Sequence, residues 1–356
     1  VLLAAAALAA LALAACATPG RAANGGFTIG LLLPSTQSAR YESDDRPLIV
    51  ARVKQLCPAC SVRYANAELD VATQEQQMRA MITNGVRVVI ADPVDARSFR
   101  SSVVAAHDAH IPVVAYDRLA AGPISGYVSF DGVEEGRLQG RALLSGLDAA
   151  AGHSGQARIV MINGAPTDPN AGLFKKGALE VLQGRVVIAR SYDAPGWREE
   201  EAYQDMSGAL DALGPGSVDG VYAANDNLAA GAIAALVAAR VAPLPPVVGG
   251  DAELPAVQRI VGGQQYMTVY KPYRPEAEAA AAMALALGRG GSVARIATTR
   301  VANDTEVGIP AVLLTPSSVT AGTLRSTVVA GGRYTVDQIC TPPLRAACAR
   351  AGLGTP

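Results

Sequence analysis

The chain has 356 residues, half of them apolar and 17% charged, so it can bury a sizeable core and is not a disordered polymer. That length exceeds one compact core and suits two α/β lobes. With 30 Lys and Arg against 31 Asp and Glu, the formal net charge is −1, which leaves no basic excess to neutralise nucleic-acid phosphates.

The chain opens on an apolar run, Leu2 to Ala15. It is too short to span a bilayer as a helix and suits the core of a signal peptide. It ends in Leu13-Ala14-Ala15-Cys16, which resembles a bacterial lipobox, where the cysteine is lipidated and the preceding peptide removed. Residues 1–16 therefore read as a lipoprotein signal peptide and 17–26 as a small polar tether. An ordinary secretory peptide with a chance cysteine is the alternative.

From Phe27 onward strands alternate with helices. Phe27 to Leu33 is an apolar run ending at Pro34 and reads as a buried parallel strand. Leu48 to Leu56 is helical in pattern, and Ser61 to Ala67 is the second strand. Asp70 caps a helix that buries Val71, Met78, Met81 and Ile82, and Gly85 ends it. Val86–Ile90, Ile111–Tyr116 and Tyr127–Phe130 are further strands, with a helix over Phe99–Ala109.

The alternation then repeats. Helices are expected over Leu138–Leu147, Ala171–Leu182, Ala202–Leu213 and Leu228–Val237. Strands are expected over Ala157–Ile162, Val186–Ala189, Val218–Ala224 and Val247–Gly249. Such runs make parallel sheets wound with helices on both faces, so the fold class is α/β with two doubly wound lobes. Pro275–Leu287 is a further Ala-rich helix that can return to the first lobe.

Five cysteines support export. With Cys16 lipidated, Cys57 with Cys60 and Cys340 with Cys348 form two local pairs, and local disulfides are natural in an oxidising compartment. Cys57-Pro58-Ala59-Cys60 also has a redox reading. Thioredoxin-like sites, however, open a helix after a strand, whereas this string follows a helix and precedes a strand.

In open parallel sheets, ligands bind beyond the carboxyl ends of the strands. Those positions carry Ser35–Tyr41, Asp92, Asp117-Arg118 and Asp131 in the first half. The second half offers Asn163–Asn170, Trp197, Asn225-Asp226 and Asp251. Asp accepts, Arg donates in a planar fork, and Asn does both, which matches sugar hydroxyls. Trp197, the single tryptophan, lies in a turn-like string and offers a flat face to sugar C–H groups, with Tyr41 placed to cover the other face. Each residue also has a plainer reading. Asp131 and Asp226 suit helix capping, Arg40 a solvated surface, and a lone Trp a core.

Six strings then carry a specific resemblance. They are Ala115-Tyr116-Asp117-Arg118, Val128-Ser129-Phe130-Asp131, Asp168-Pro169-Asn170-Ala171-Gly172-Leu173-Phe174, Ala224-Asn225-Asp226, Met267-Thr268-Val269-Tyr270-Lys271-Pro272 and Leu313-Leu314-Thr315-Pro316. In order, from about Phe27 to Arg333, the chain resembles bacterial D-xylose-binding proteins, type I periplasmic binding proteins that feed ABC importers. The resemblance implies a hinged receptor whose partners are a monosaccharide and an importer permease, acting as a monomer without a cofactor. By motif, the sugar contacts fall on Arg40, Tyr41, Asp117, Arg118, Asn170, Trp197, Asn225, Asp251 and Lys271.

The resemblance also implies three crossings between lobes, near Asp131, Tyr270 and Val307. Residues 27–131 and 271–307 then form the N-terminal lobe, 132–270 and 308–335 the C-terminal lobe, and 336–356 a disulfide-linked tail. Pro34-Ser35, Tyr41 and Gly249-Gly250-Asp251 depart from the family pattern, which has acidic residues, a Trp and Gly-Gln-Asp there. Those departures leave glucose, ribose and arabinose as alternative sugars to D-xylose, and a sugar-sensing co-receptor as an alternative role.

Other classes fit less well. A glycosidase needs one carboxyl held protonated, whereas Asp117 and Asp251 read as permanently ionised. No nucleophile elbow, HExxH, P-loop or EF-hand loop is present, and Gly288-Arg289-Gly290-Gly291 lacks the dinucleotide fingerprint. His107, His110 and His153 are the only histidines and read as surface residues, so no metal is expected. A sugar-sensing repressor of similar architecture needs an N-terminal helix-turn-helix where this chain has its lipobox.

Overall fold

The computed structural model describes residues 25–150 and 156–354. The expected signal peptide, Cys16, residues 17–24 of the tether and His153 lie outside the described residues.

The first lobe begins with β1 (Thr28–Leu33), α1 (Arg46–Leu56), β2 (Ser61–Asn66), α2 (Val71–Thr83), β3 (Val88–Ala91), α3 (Arg100–Asp108), β4 (Val113–Tyr116) and β5 (Gly126–Phe130). Every residue of β3, β4 and β5 is buried. That is the pattern of parallel strands covered on both faces. Asp70 starts α2 as expected, its carboxylate accepting the Thr73 N–H at 2.6 Å.

The second lobe takes α4 (Gly132–Ala150), β6 (Arg158–Asn163), α5 (Pro169–Leu182), β7 (Val187–Asp193), α6 (Glu199–Leu213), β8 (Gly220–Ala223), α7 (Asp226–Ala238), β9 (Val247–Val248), α8 (Leu254–Gly262) and β10 (Thr268–Tyr270). The chain returns to the first lobe as α9 (Tyr273–Gly288), β11 (Thr299–Ala302) and β12 (Val307–Leu314). Ala277, Ala280, Ala281 and Ala284 of α9 join the first-lobe core. It ends on the second lobe with β13 (Ser317–Val319), α10 (Val336–Ile339) and α11 (Arg345–Arg350).

One sheet runs β11-β12-β5-β4-β3-β1-β2 and another β7-β6-β8-β9, with β10 and β13 paired antiparallel. A parallel bridge from Val248 to Met267 links that pair to β9. The architecture is thus two doubly wound α/β lobes joined at a hinge.

Two expectations change. α4 starts at Gly132, immediately after β5, not at Leu138. Its glycines allow close contact with α5: a Cβ at Gly136 would lie 2.0 Å from the Phe174 carbonyl oxygen, and one at Gly177 would lie 1.9 Å from that of Val133. The third crossing is also not at Val307. β12 pairs in parallel with β5, Leu314 opposite Phe130, so residues 308–314 belong to the first lobe and the crossing follows Leu314. The physical reason is the open edge of β5, whose backbone groups need a partner. The Asp131 N–H donates to the Leu314 carbonyl at 2.9 Å, so two crossings run side by side.

Cys57–Cys60 and Cys340–Cys348 are both disulfides. The first closes the turn between α1 and β2. The second joins α10 to α11 and holds a tail that buries Ile339, Cys348 and Leu353 against α8. Among the described residues no helix is long and apolar enough to cross a membrane, and no group of three or more His, Cys, Asp or Glu is arranged to hold a metal.

Candidate functional site

All of the expected contact residues line one narrow cavity between the lobes. Arg40, Tyr41, Asp117 and Arg118 come from the first lobe. Asn170, Trp197, Asn225 and Asp251 come from the second, and Lys271 from the β10–α9 crossing. Ser38, Asp168 and Phe174 complete the wall.

Arg40 is not a solvated surface charge. It lies at the start of a π-helical turn, Tyr41–Asp45, and is buried. Its guanidinium reaches Asp45 Oδ2 at 2.8 Å, Glu276 Oε2 at 2.8 Å and Asp117 Oδ1 at 3.1 Å. The Tyr116 hydroxyl donates to Asp45 at 2.6 Å, so the arginine is held from behind. Burial alone would raise the Asp117 carboxyl. The charges of Arg40, Lys271 and Arg118 together outweigh it and hold Asp117 below the ordinary carboxylate range. Arg40 contributes more to this than Arg118, the neighbour in sequence.

Tyr41 donates its hydroxyl to Asp117 Oδ2 at 3.3 Å. The Asp117 carbonyl accepts from Tyr127 at 2.8 Å, Ser129 at 2.7 Å and, across the cleft, Asn170 Nδ2 at 3.1 Å. Asn170 stands in the first turn of α5, which Asp168 caps. Asn225 caps α7 through Leu228 N–H at 3.0 Å while lining the cavity.

Lys271 Nζ lies 3.3 Å from Glu135 Oε1 and closer still to Asp251. Burial would lower the lysine, but those two carboxylates raise it, so it stays charged. Trp197 is buried, with Phe174 edge-on at 6.3 Å. Its six-membered ring lies on Gly164, where a Cβ would come within 2.0 Å of it. Asp117, Trp197 and Asp251 all have positive φ, at 56°, 60° and 94°. Strained backbone of this kind persists only where the surroundings enforce it, and it gathers at binding sites.

Other strand-end candidates have structural roles. Asp131 is exposed and caps α4 through Glu134 N–H. Asn163 Nδ2 donates to the Tyr192 carbonyl at 2.7 Å. Asp226 is fully buried and accepts from Thr268, Gln265 and the Glu253 N–H. His107 and His110 are exposed. Sequence reasoning missed Asp45, Glu135, Glu276 and Phe174, which lie in helical segments and carry no strand-end signal.

The cavity holds fixed donors, acceptors and an aromatic wall from two lobes. That is the construction of a solute-binding cleft. The model of the periplasmic binding protein domain matches residues 29–292, and the chain belongs to that family of extracytoplasmic solute-binding proteins. It is 33% identical to the D-xylose-binding periplasmic protein of Escherichia coli, over 87% of this chain and 92% of the relative. It is 31% identical to the multiple sugar-binding periplasmic receptor ChvE of Rhizobium radiobacter, over 94% and 98%. A carbohydrate transporter solute-binding protein from Chloroflexus aurantiacus, solved with D-glucose, superposes with a TM-score of 0.78 at 25% identity, covering 87% of this chain and 97% of that one.

Proposed function

We propose that this protein is the receptor of an ABC sugar importer, that it binds one monosaccharide between its lobes, and that D-xylose is the preferred ligand. The observation that carries the reading is the meeting of Asp117 and Arg118 from one lobe with Asn170, Trp197 and Asp251 from the other in one cavity. A ligand touching both sides favours the closed state by its differential binding. The contact set is Arg40, Tyr41, Asp117, Arg118, Asn170, Trp197, Asn225, Asp251 and Lys271. The family similarity to D-xylose-binding proteins supports the choice of sugar.

A second reading is a receptor with a wider range that includes D-glucose. It is favoured by Tyr41, smaller than the Trp of the xylose-binding pattern, and by the similarity to a multiple sugar-binding receptor. In both readings Leu13-Ala14-Ala15-Cys16 supports lipidation at Cys16, so that the receptor is tethered to the membrane and works as a monomer beside its permease. Calorimetry with D-xylose, D-glucose, D-ribose, L-arabinose and D-galactose is the test. Tightest binding of D-xylose supports the first reading, comparable binding of D-glucose the second, and binding of none overturns both.

A further inference from the structure

Three contacts cross the cleft at one lip, and all of them end on the segment that starts α5. Ala96 N–H donates to the Thr167 carbonyl at 3.2 Å. Asn170 Nδ2 donates to the Asp117 carbonyl, and Arg118 Nε lies 2.9 Å from Asp168 Oδ2. The same Nε lies 3.5 Å from Oδ1 of Asp92, in the arginine's own lobe. Asp92 is fully buried, and neither of its carboxylate oxygens has a hydrogen-bond partner.

We propose that Asp92 and Asp168 are positioning residues that compete for Arg118: Asp92 holds the guanidinium when the lobes are apart, Asp168 holds it when they meet, and this exchange sets how readily the cleft closes. The effect on sugar binding rests on the receptor reading above.

A buried carboxylate without donors is costly, and the nearest cation is the natural remedy. In the closed arrangement that cation leans toward the opposite lobe. Burial, opposed by Arg118, pushes the Asp92 carboxyl well above the ordinary range, so it carries its charge more readily when the arginine returns. The other charged groups facing it are Asp117, Asp168 and Arg40. Arg118 Nη1 is anchored on the Pro93 and Val94 carbonyls, at 3.2 and 3.3 Å. A small turn about that anchor carries Nε from one carboxylate to the other. Asp92 does not line the cavity, so it acts through Arg118 and not on the ligand.

The test uses Asp92→Asn and Asp168→Asn in the full chain. Asparagine caps a helix as well as aspartate does, so the second variant keeps the start of α5. Small-angle scattering without sugar reads the closed fraction, and calorimetry with D-xylose reads affinity. Asp92→Asn removes the open-state partner. It is expected to shrink the sugar-free radius of gyration and to tighten D-xylose binding about fivefold, while Asp168→Asn weakens binding about tenfold. Asp92→Ser serves as a second variant should Asn at this site prevent folding. Because Asp168 also lines the cavity, its variant is judged on the sugar-free radius, which is expected to grow; a sugar-free radius unchanged by the Asp92 variants, or unchanged by Asp168→Asn, overturns the exchange. Should the wild type bind none of the five sugars, the receptor reading falls, and the scattering arm still decides the exchange.

Discussion

Lys271 Nζ lies 2.7 Å from Asp251 Oδ1 in a part of the cavity where both side chains are nearly excluded from water. Lys271→Met would leave Asp251 and Glu135 buried without their cation. Breaking a buried pair in this way costs about 3–5 kcal/mol, so a large drop in melting temperature accompanies the loss of sugar binding. Thermal denaturation and calorimetry check both. A variant as stable as the wild type would contradict the pairing.

Glu135 gives a pH signature. Burial is the main cause that pushes its carboxyl from 4.5 up to about 7; Lys271 opposes the shift and Asp251 adds to it. Between about pH 4.5 and 7 the folded chain therefore holds a proton that the unfolded chain has lost. The contribution is full below that window and is lost as pH rises through it. Asp226, pushed up to about 7, and Glu253, to about 8, have the same sign. Melting temperature should fall between pH 5 and pH 8, and Glu135→Gln should flatten part of that fall. An identical slope in the variant would remove Glu135 from the account.

Gly164→Ala tests the aromatic wall without touching a polar group. The new methyl meets the Trp197 ring at 2.0 Å, so the indole must move. Overpacking of this kind costs about 1–3 kcal/mol. Trp197 is the sole tryptophan, so its emission reports the shift directly. The expected result is altered fluorescence and weaker sugar binding with the fold retained; unchanged emission and affinity would place the ring elsewhere.

The tail offers a control. Cys340→Ser with Cys348→Ser opens a short loop, whose closure stabilises by about 2–3 kcal/mol. The tail packs on α8, and none of its described residues lines the cavity. Lower stability with unchanged sugar affinity is expected from denaturant titration and calorimetry. An equal loss of affinity would tie the tail to the site.

Much of this was legible in the chain. Apolar runs bounded by Pro, Gly and Asp mark β1, α2 and the strands that follow because parallel strands are buried on both faces. Strand ends point to Asp117, Asn225 and Asp251 because loops there need polar side chains. Glu276 and Glu135 were not legible. Each sits in the first turn of a helix, where an acidic residue ordinarily answers the helix dipole, and only the tertiary fold turns it toward Arg40 or Lys271. The end of the first lobe was misplaced because β12 follows a hairpin turn and its parallel partner β5 lies far back in sequence.

The bond from Asp131 N–H to the Leu314 carbonyl has a mechanical meaning. It ties two of the three crossings edge to edge, so they form a narrow ribbon rather than independent strings. A ribbon flexes easily across its flat face and resists shear within it. The chain therefore leaves the first lobe after Phe130 and again after Leu314 as one coupled strip rather than at two independent points.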